Sequence, residues 1–200
     1  YQPTKYALNE AKGGKELQVI QNNEALANKL KIYNLPTKEF FVLKTEKGNE
    51  LNAWMIKPKD FDPNKKYPVF MYQYSGPGSQ QVNNDWNGAD DYWFMMLTQQ
   101  GYIVACVDGR GTGFKGAEFK KCTQKELGKY EVEDQIDAAK VIGNYSFVDK
   151  ARIGIFGWSY GGFMASNCIL KGNDVFKMAI AVAPVTNWRF YDSVYTERYM

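Results

Sequence analysis

Apolar and polar positions change register along this chain, and the change divides it. Tyr6-Ala-Leu8 and Glu16–Ile20 are short strand-like runs on either side of Gly13-Gly14, which predicts a small hairpin with exposed edges. Asn23–Leu30 predicts a short helix, with Asn22 or Asn23 as its N-cap, and Leu35-Pro36 closes that connection. A second hairpin follows: Glu39–Thr45 and Glu50–Lys57 around Gly48-Asn49. Beyond Pro63 the strands are different. Tyr67–Tyr74, Tyr102–Val107, Arg152–Phe156 and Met178–Ala183 are near-continuous apolar runs, the pattern of strands buried on both faces. Helical spacing separates them. One helix covers about Tyr92–Gln100 and ends at Gly101. Another, Glu131–Ile142, carries Val132, Ile136 and Ala139 on an apolar stripe, with acids in its first turn to suit the helix dipole. A hairpin followed by strands alternating with helices predicts an α/β fold with a mostly parallel sheet covered on both faces.

The chemistry concentrates at Gly157-Trp158-Ser159-Tyr160-Gly161. Strand residues Arg152–Phe156 precede it, and Gly162–Leu170, with apolar and small residues at helical spacing, follows. Strand, sharp turn and helix are the context in which Gly-x-Ser-x-Gly is a nucleophile elbow. There the serine hydroxyl clears the sheet, flanking glycines let strand and helix approach, and the Tyr160 N–H at the helix start faces a developing oxyanion. The plainer reading is a chance match in a loop, and the flanking elements argue against it. A second motif, Gly111-Thr-Gly-Phe-Lys-Gly116, fits G-x-G-x-x-G, with Glu131, Glu133 and Asp134 at about the distance of a ribose-binding acid. A dinucleotide enzyme is therefore an alternative. Against it, Asp108-Gly-Arg separates strand from motif, residues 117–130 do not form an apolar-faced helix, and the acids open a helix instead of closing a strand. The plain alternative is a glycine-rich loop at the sheet's carboxyl edge.

Composition changes the picture in three places. Aromatic content is 16%, enough to line a core or a pocket. The net charge of +3 comes from lysines scattered among acids, a solvated surface and not a nucleic-acid footprint. Cys106, Cys122 and Cys168 have no metal-ligand spacing, and Cys106 and Cys168 fall on positions expected to be buried. No apolar run is long enough to span a bilayer, and nothing at the start reads as a signal peptide. The chain contains no histidine. Its abrupt start and end suggest an internal segment of a longer protein.

Gly157-Trp-Ser-Tyr-Gly-Gly162, Asp108-Gly-Arg-Gly111, Tyr74-Ser-Gly-Pro77, Glu131-Val-Glu-Asp-Gln135 and Asp192–Tyr199, taken together and in order, resemble the prolyl oligopeptidase family of serine peptidases, in a version closer to bacterial members. The resemblance covers essentially the whole chain. It implies an α/β-hydrolase catalytic domain over residues 37–200, a linker helix over 22–36, and the end of an upstream β-propeller over 1–21. It implies release of Xaa-Pro, and less readily Xaa-Ala, dipeptides from free peptide N-termini through an acyl-enzyme on Ser159. It assigns the second oxyanion donor to the Tyr74 hydroxyl, and the pocket for the residue before the scissile bond to Tyr160, Val185, Trp188, Tyr191 and Tyr195. Trp188, Tyr191 and Tyr195 would share one face if their segment is helical, leaving the carboxyl end of a central strand. Packing of the fold is the plainer role for these aromatics, as it is for Tyr74.

The triad acid and base of the family would lie beyond Met200, since the order is Ser, Asp, His and no histidine follows Ser159. Partners would be a peptide with penultimate proline, the remaining propeller and catalytic parts of the same protein, and a second copy in a dimer. No nucleic acid, membrane segment, metal or cofactor is called for. The family's members work outside the cytoplasm: periplasmic, cell-surface or secreted. A non-catalytic relative of the fold acting as a binding module is the other reading, and it would lack the downstream acid and base.

Overall fold

The computed structural model describes residues 2–86 and 89–200, so Tyr1, in the segment expected to end a propeller, and residues 87–88, in the expected catalytic domain, lie outside the described residues. Strands β1 (Tyr6–Asn9) and β2 (Glu16–Gln21) pair antiparallel as a separate two-stranded sheet, and α1 (Glu24–Lys31) follows. Asn23 takes a left-handed conformation and offers no side-chain cap; the Asn22 Oδ1 instead accepts the Glu24 N–H at 3.1 Å.

The main sheet has six strands: β3 (Lys38–Lys44), β4 (Glu50–Ile56), β5 (Tyr67–Tyr72), β6 (Ile103–Asp108), β7 (Val148–Trp158) and β8 (Met178–Val182), in the order β3-β4-β6-β5-β7-β8. The β3–β4 hairpin and the β4–β6 pair are antiparallel; β5, β6, β7 and β8 run parallel. Crossovers are made by α2 (Ala89–Gln99), α4 (Tyr130–Gly143) and α5 (Tyr160–Lys171), with a short α3 (Ala117–Lys121) before α4.

Alternation along the strands sorts side chains to two cores. Val69, Met71, Ile103, Ala105, Val107, Ile153 and Ile155 face α4 and α5, where Val132, Ala138, Ile142, Met164 and Cys168 complete a packed layer. Phe70, Val104, Cys106, Trp54 and Ile56 face the other way, against Phe94 of α2. Cys106 and Cys168 are both buried free thiols, as their positions predict. Covering both faces removes the apolar surface of β5 and β6 from water, at roughly 1.5–3 kcal/mol per large aliphatic side chain.

The strand at 178–183, expected to be central, pairs with β7 and stands last in the sheet among the described residues, where Met178 and Ile180 are 44% and 40% exposed and Trp93 of α2 lines a groove with Ile180 and Val182. Two expectations need correction. The β5 ladder ends at Tyr72, so Tyr74 sits in the loop beyond the strand and not at its end. Trp188–Tyr195 is not one helix. A 3₁₀ turn at Trp188–Phe190 breaks at Tyr191, and Asp192, whose side chain accepts the Tyr195 N–H, caps a new helix, α6 (Ser193–Tyr199).

Candidate active site

Ser159 stands between β7 and α5 at φ 57°, ψ −116°, a conformation that crowds any residue with a Cβ. The fold over-determines it. The Ser159 N–H donates to the Val182 carbonyl at 2.9 Å, and the Ser159 carbonyl accepts the Phe163 N–H at 3.0 Å. Gly157 and Gly161 are required by proximity: a Cβ on Gly157 would lie 2.2 Å from the Gly161 oxygen, and one on Gly161 would lie 2.6 Å from the Gln73 oxygen. Strand and helix can therefore close on the turn only without side chains there. The Ser159 side chain makes no capping bond to the helix it starts, which leaves the hydroxyl free for other chemistry. The Tyr160 N–H is one of the first-turn donors that no helix can satisfy internally.

Tyr160 is buried, and its hydroxyl donates to the Glu131 Oε1 at 2.5 Å. Burial first, then the Glu131 charge, pushes this phenol far above its ordinary range. Its ring lies 5.5 Å from Trp188 and 6.1 Å from Tyr74. Trp188 and Tyr195 stack in parallel at 5.7 Å, and Tyr191 meets both edge-on at 5.9 and 5.4 Å. The turn and the new helix thus produce the aromatic cluster that a single helix would also have given. Phe163, one turn along α5, joins it 5.4 Å from Trp188, and Tyr199 meets Tyr195 at 4.7 Å. Burial raises the hydroxyl pKa of Tyr195, and that of Tyr74, where Tyr191 and Tyr199 add to the effect. Val185 is half-buried on the connection between β8 and Trp188. The structure thus brings Tyr74, Tyr160, Trp188, Tyr191 and Tyr195 into one group of touching rings beside the elbow.

The loop carrying Tyr74 is tightly made. Ser75 has φ 61°, and a Cβ on Gly76 would lie 2.4 Å from the Tyr74 Cε1, so the chain folds back over the ring. Gln73, Ser75, Glu131 and Gln135 are all buried polar residues here. Sequence reasoning missed their role, although a signal was present. Positions 131, 135, 138 and 142 form one stripe of α4, and its first two members are polar where its last two are apolar. The acids of that helix do more than complement its dipole. Asp134 receives the Arg110 guanidinium at 2.7 Å together with the Arg110 N–H, and Glu133 binds Arg110 and Lys47.

The Gly111–Gly116 loop fits a dinucleotide poorly. A Cβ on Gly111 would lie 2.8 Å from Thr123 and one on Gly113 would lie 3.0 Å from the Gly78 oxygen, so these glycines pack against protein and leave no cradle. The candidate ribose acids are engaged by Tyr160, Arg110 and Lys47. Among the described residues no cluster of His, Cys, Asp and Glu has the geometry to hold a metal, and no helix is long and apolar enough to cross a membrane.

A strained serine on a strand–turn–helix elbow, at the carboxyl ends of the parallel strands of a mixed sheet with helices on both faces, defines the α/β-hydrolase fold. The chain belongs to the prolyl oligopeptidase family, whose model matches residues 89–200. It superposes on the crystal structure of Porphyromonas gingivalis dipeptidyl peptidase 4 with a TM-score of 0.95 and 53% identity, covering 100% of this chain and 28% of that one. A putative dipeptidyl aminopeptidase IV from Bacteroides ovatus gives a TM-score of 0.85 at 34% identity, with 100% and 28% covered. Dipeptidyl peptidase 4 of Trichophyton equinum is 43% identical over 196 residues, 98% of this chain and 25% of the relative. The chain therefore spans about a quarter of the length of the relatives it matches.

Proposed function

We propose that this chain is the nucleophile-bearing part of a serine exopeptidase that releases Xaa-Pro, and less readily Xaa-Ala, dipeptides from peptide N-termini. The observation that carries the reading is Ser159, held at positive φ with a hydroxyl unused by the helix and a first-turn N–H beside it. Ser159 attacks the carbonyl carbon of proline, and its hydroxyl proton passes through the triad base to the departing amine. The Tyr160 N–H and the Tyr74 hydroxyl donate to the oxyanion, and burial keeps the Tyr74 phenol protonated and able to donate. Departure of the shortened peptide leaves a dipeptidyl ester on Ser159, which water then hydrolyses.

Tyr160, Val185, Trp188, Tyr191 and Tyr195 wall the pocket for proline. None is charged, so a lysine or arginine side chain finds no counter-ion. A rigid pyrrolidine ring lies against aromatic faces with little loss of conformational freedom. Alanine fits but forfeits contacts, and each methylene it lacks is worth about 1–3 kcal/mol in such a pocket. The acid and base belong to the rest of the same protein. Because an unassisted serine hydroxyl is a weak nucleophile, the 200 residues alone fall short by a factor on the order of a million, the typical cost of removing a triad base.

The test uses the complete protein. A fluorophosphonate should label Ser159 and no other residue by mass spectrometry, and a panel of Gly-Pro, Gly-Ala, Gly-Leu and Gly-Arg nitroanilides should be cleaved fastest at proline, then alanine. Absence of both labelling and turnover would favour a binding module on the same fold. Equal kcat/KM for proline and leucine, or a preference for arginine, would refute the pocket.

A further inference from the structure

Two buried polar side chains of α4, Glu131 and Gln135, lie one helical turn apart on the face that packs beneath the elbow. We infer that they are positioning residues that hold the two donor arms of the oxyanion site, Tyr160 and the Tyr74 loop, at fixed distances from each other. The inference rests on the proposed reading of Ser159.

The first arm runs through Glu131. Its Oε1 accepts the Tyr160 hydroxyl at 2.5 Å, and its Oε2 accepts the Gly128 N–H at 3.1 Å. The residue whose backbone N–H is an oxyanion donor is thereby anchored at the far end of its ring as well. Tyr160 cannot tilt toward or away from the aromatic cluster without breaking a buried hydrogen bond. Burial raises the pKa of both groups, which keeps the phenol protonated and able to donate to Glu131.

The second arm is a chain of side chains. Gln135 Nε2 donates to the Val107 carbonyl at 2.8 Å and to the Ser75 Oγ at 3.3 Å. Ser75 Oγ donates to the Gln73 Oε1 at 3.0 Å, and Gln73 Nε2 donates to the Gly161 carbonyl at 2.8 Å in the first turn of α5. Gln73 and Ser75 are the neighbours of Tyr74. The path from α4 to the helix behind Ser159 thus passes through both residues that flank the proposed phenol donor. Ser75 is held at φ 61°, a conformation that needs such support.

Stability alone does not explain Gln135. Among the described residues its buried Oε1 meets no hydrogen-bond partner, a penalty that an apolar residue of similar size would not carry. A wholly buried carboxyl is likewise costly unless it is bonded on both oxygens, as Glu131 is. Both residues belong to a stripe whose other members, Ala138 and Ile142, are plain core.

The experiment compares Glu131→Leu, Gln135→Leu, Tyr160→Phe and the double variant Glu131→Leu/Tyr160→Phe in the complete protein. Active serines are counted by fluorophosphonate titration. On Gly-Pro-nitroanilide, kcat per titrated site should fall about ten- to a hundredfold in each single variant, the size expected from a misplacement of about 1 Å, with KM changed less than threefold. The double variant should be no slower than Glu131→Leu, because both changes cut one bond. Glu131→Gln can accept from Gly128 and donate to the Tyr160 oxygen, and should recover most of the loss. A prolyl boronic acid, whose tetrahedral adduct fills the oxyanion site, should bind more weakly in proportion to kcat/KM, as binding of the dipeptide product does not. If a leucine variant fails to fold, Tyr160→Phe and Ser75→Ala cut the same two arms from the other side. Variants that lose thermal stability but keep wild-type kcat per titrated site would overturn the inference alone. A wild-type protein that cleaves no Gly-Pro substrate would overturn the proposed function and this inference with it.

Discussion

Replacing Ser159 should do opposite things to activity and to stability, and the choice of replacement separates the causes. Ser159→Ala removes the hydroxyl and keeps a Cβ at φ 57°, ψ −116°. Ser159→Gly removes both. The hydroxyl makes no cap bond, so losing it costs the fold nothing in either variant. The difference between the two is then backbone strain against chain entropy. A residue in so sparsely populated a region carries roughly 1–3 kcal/mol of strain. Glycine gives back about 0.5–1 kcal/mol through the larger freedom of the unfolded chain. Ser159→Gly should therefore exceed Ser159→Ala in stability by about 1 kcal/mol. Both variants should be inactive. The measurement is thermal and urea unfolding of the two variants side by side in the complete protein. If Ser159→Gly proves equal to or less stable than Ser159→Ala, the elbow holds no strain and the reasoning fails.

Three further outcomes are expected. Tyr74→Phe keeps the ring that Gly76 folds over and removes one donor, so kcat should fall about a hundred- to a thousandfold with KM nearly unchanged; wild-type kcat would end the phenol's role. Trp188→Ala takes away the ring stacked on Tyr195 and should narrow the gap between proline and leucine substrates more than it lowers stability, whereas an unfolded variant would make packing the ring's main duty. Asp108 is buried and its carboxyl is pushed up to about 6, chiefly by burial, even though it accepts the N–H groups of Gln81 and Val82. A raised acid favours the folded state where it is protonated, so this contribution is present in full below about pH 4 and is lost as pH rises through about 6, up to roughly 3 kcal/mol. Unfolding free energies measured across that window should lose this slope in Asp108→Asn, and an unchanged slope would mean that another group titrates.

Much of the site was legible in the residues. The run Arg152–Phe156, the glycines and Ser159 announce the elbow because its geometry is local: a Cβ at Gly157 or Gly161 would collide with atoms a few residues away or one strand across. The buried strands were legible for the same reason, since alternation and continuity of apolar side chains depend only on the pleat. Partners distant in the chain were not. Trp188, Tyr191 and Tyr195 were placed on one face by helical spacing, yet a turn, a break and the Asp192 cap bring them together, because ring stacking and capping overrode the helix between them.

The sequence by itself therefore determined the α/β pattern and the elbow at Ser159, while the aromatic residues near it were named by the family resemblance. Only the tertiary structure decided that Glu131 and Gln135 face the elbow, because a polar residue on an amphipathic helix reads as solvated until the chain shows what lies opposite. Here Tyr160 and Ser75 lie opposite, separated from those residues by 29 and 60 positions along the chain, and hydrogen bonds over such separations exist only once the sheet has brought the two helices and the loop together.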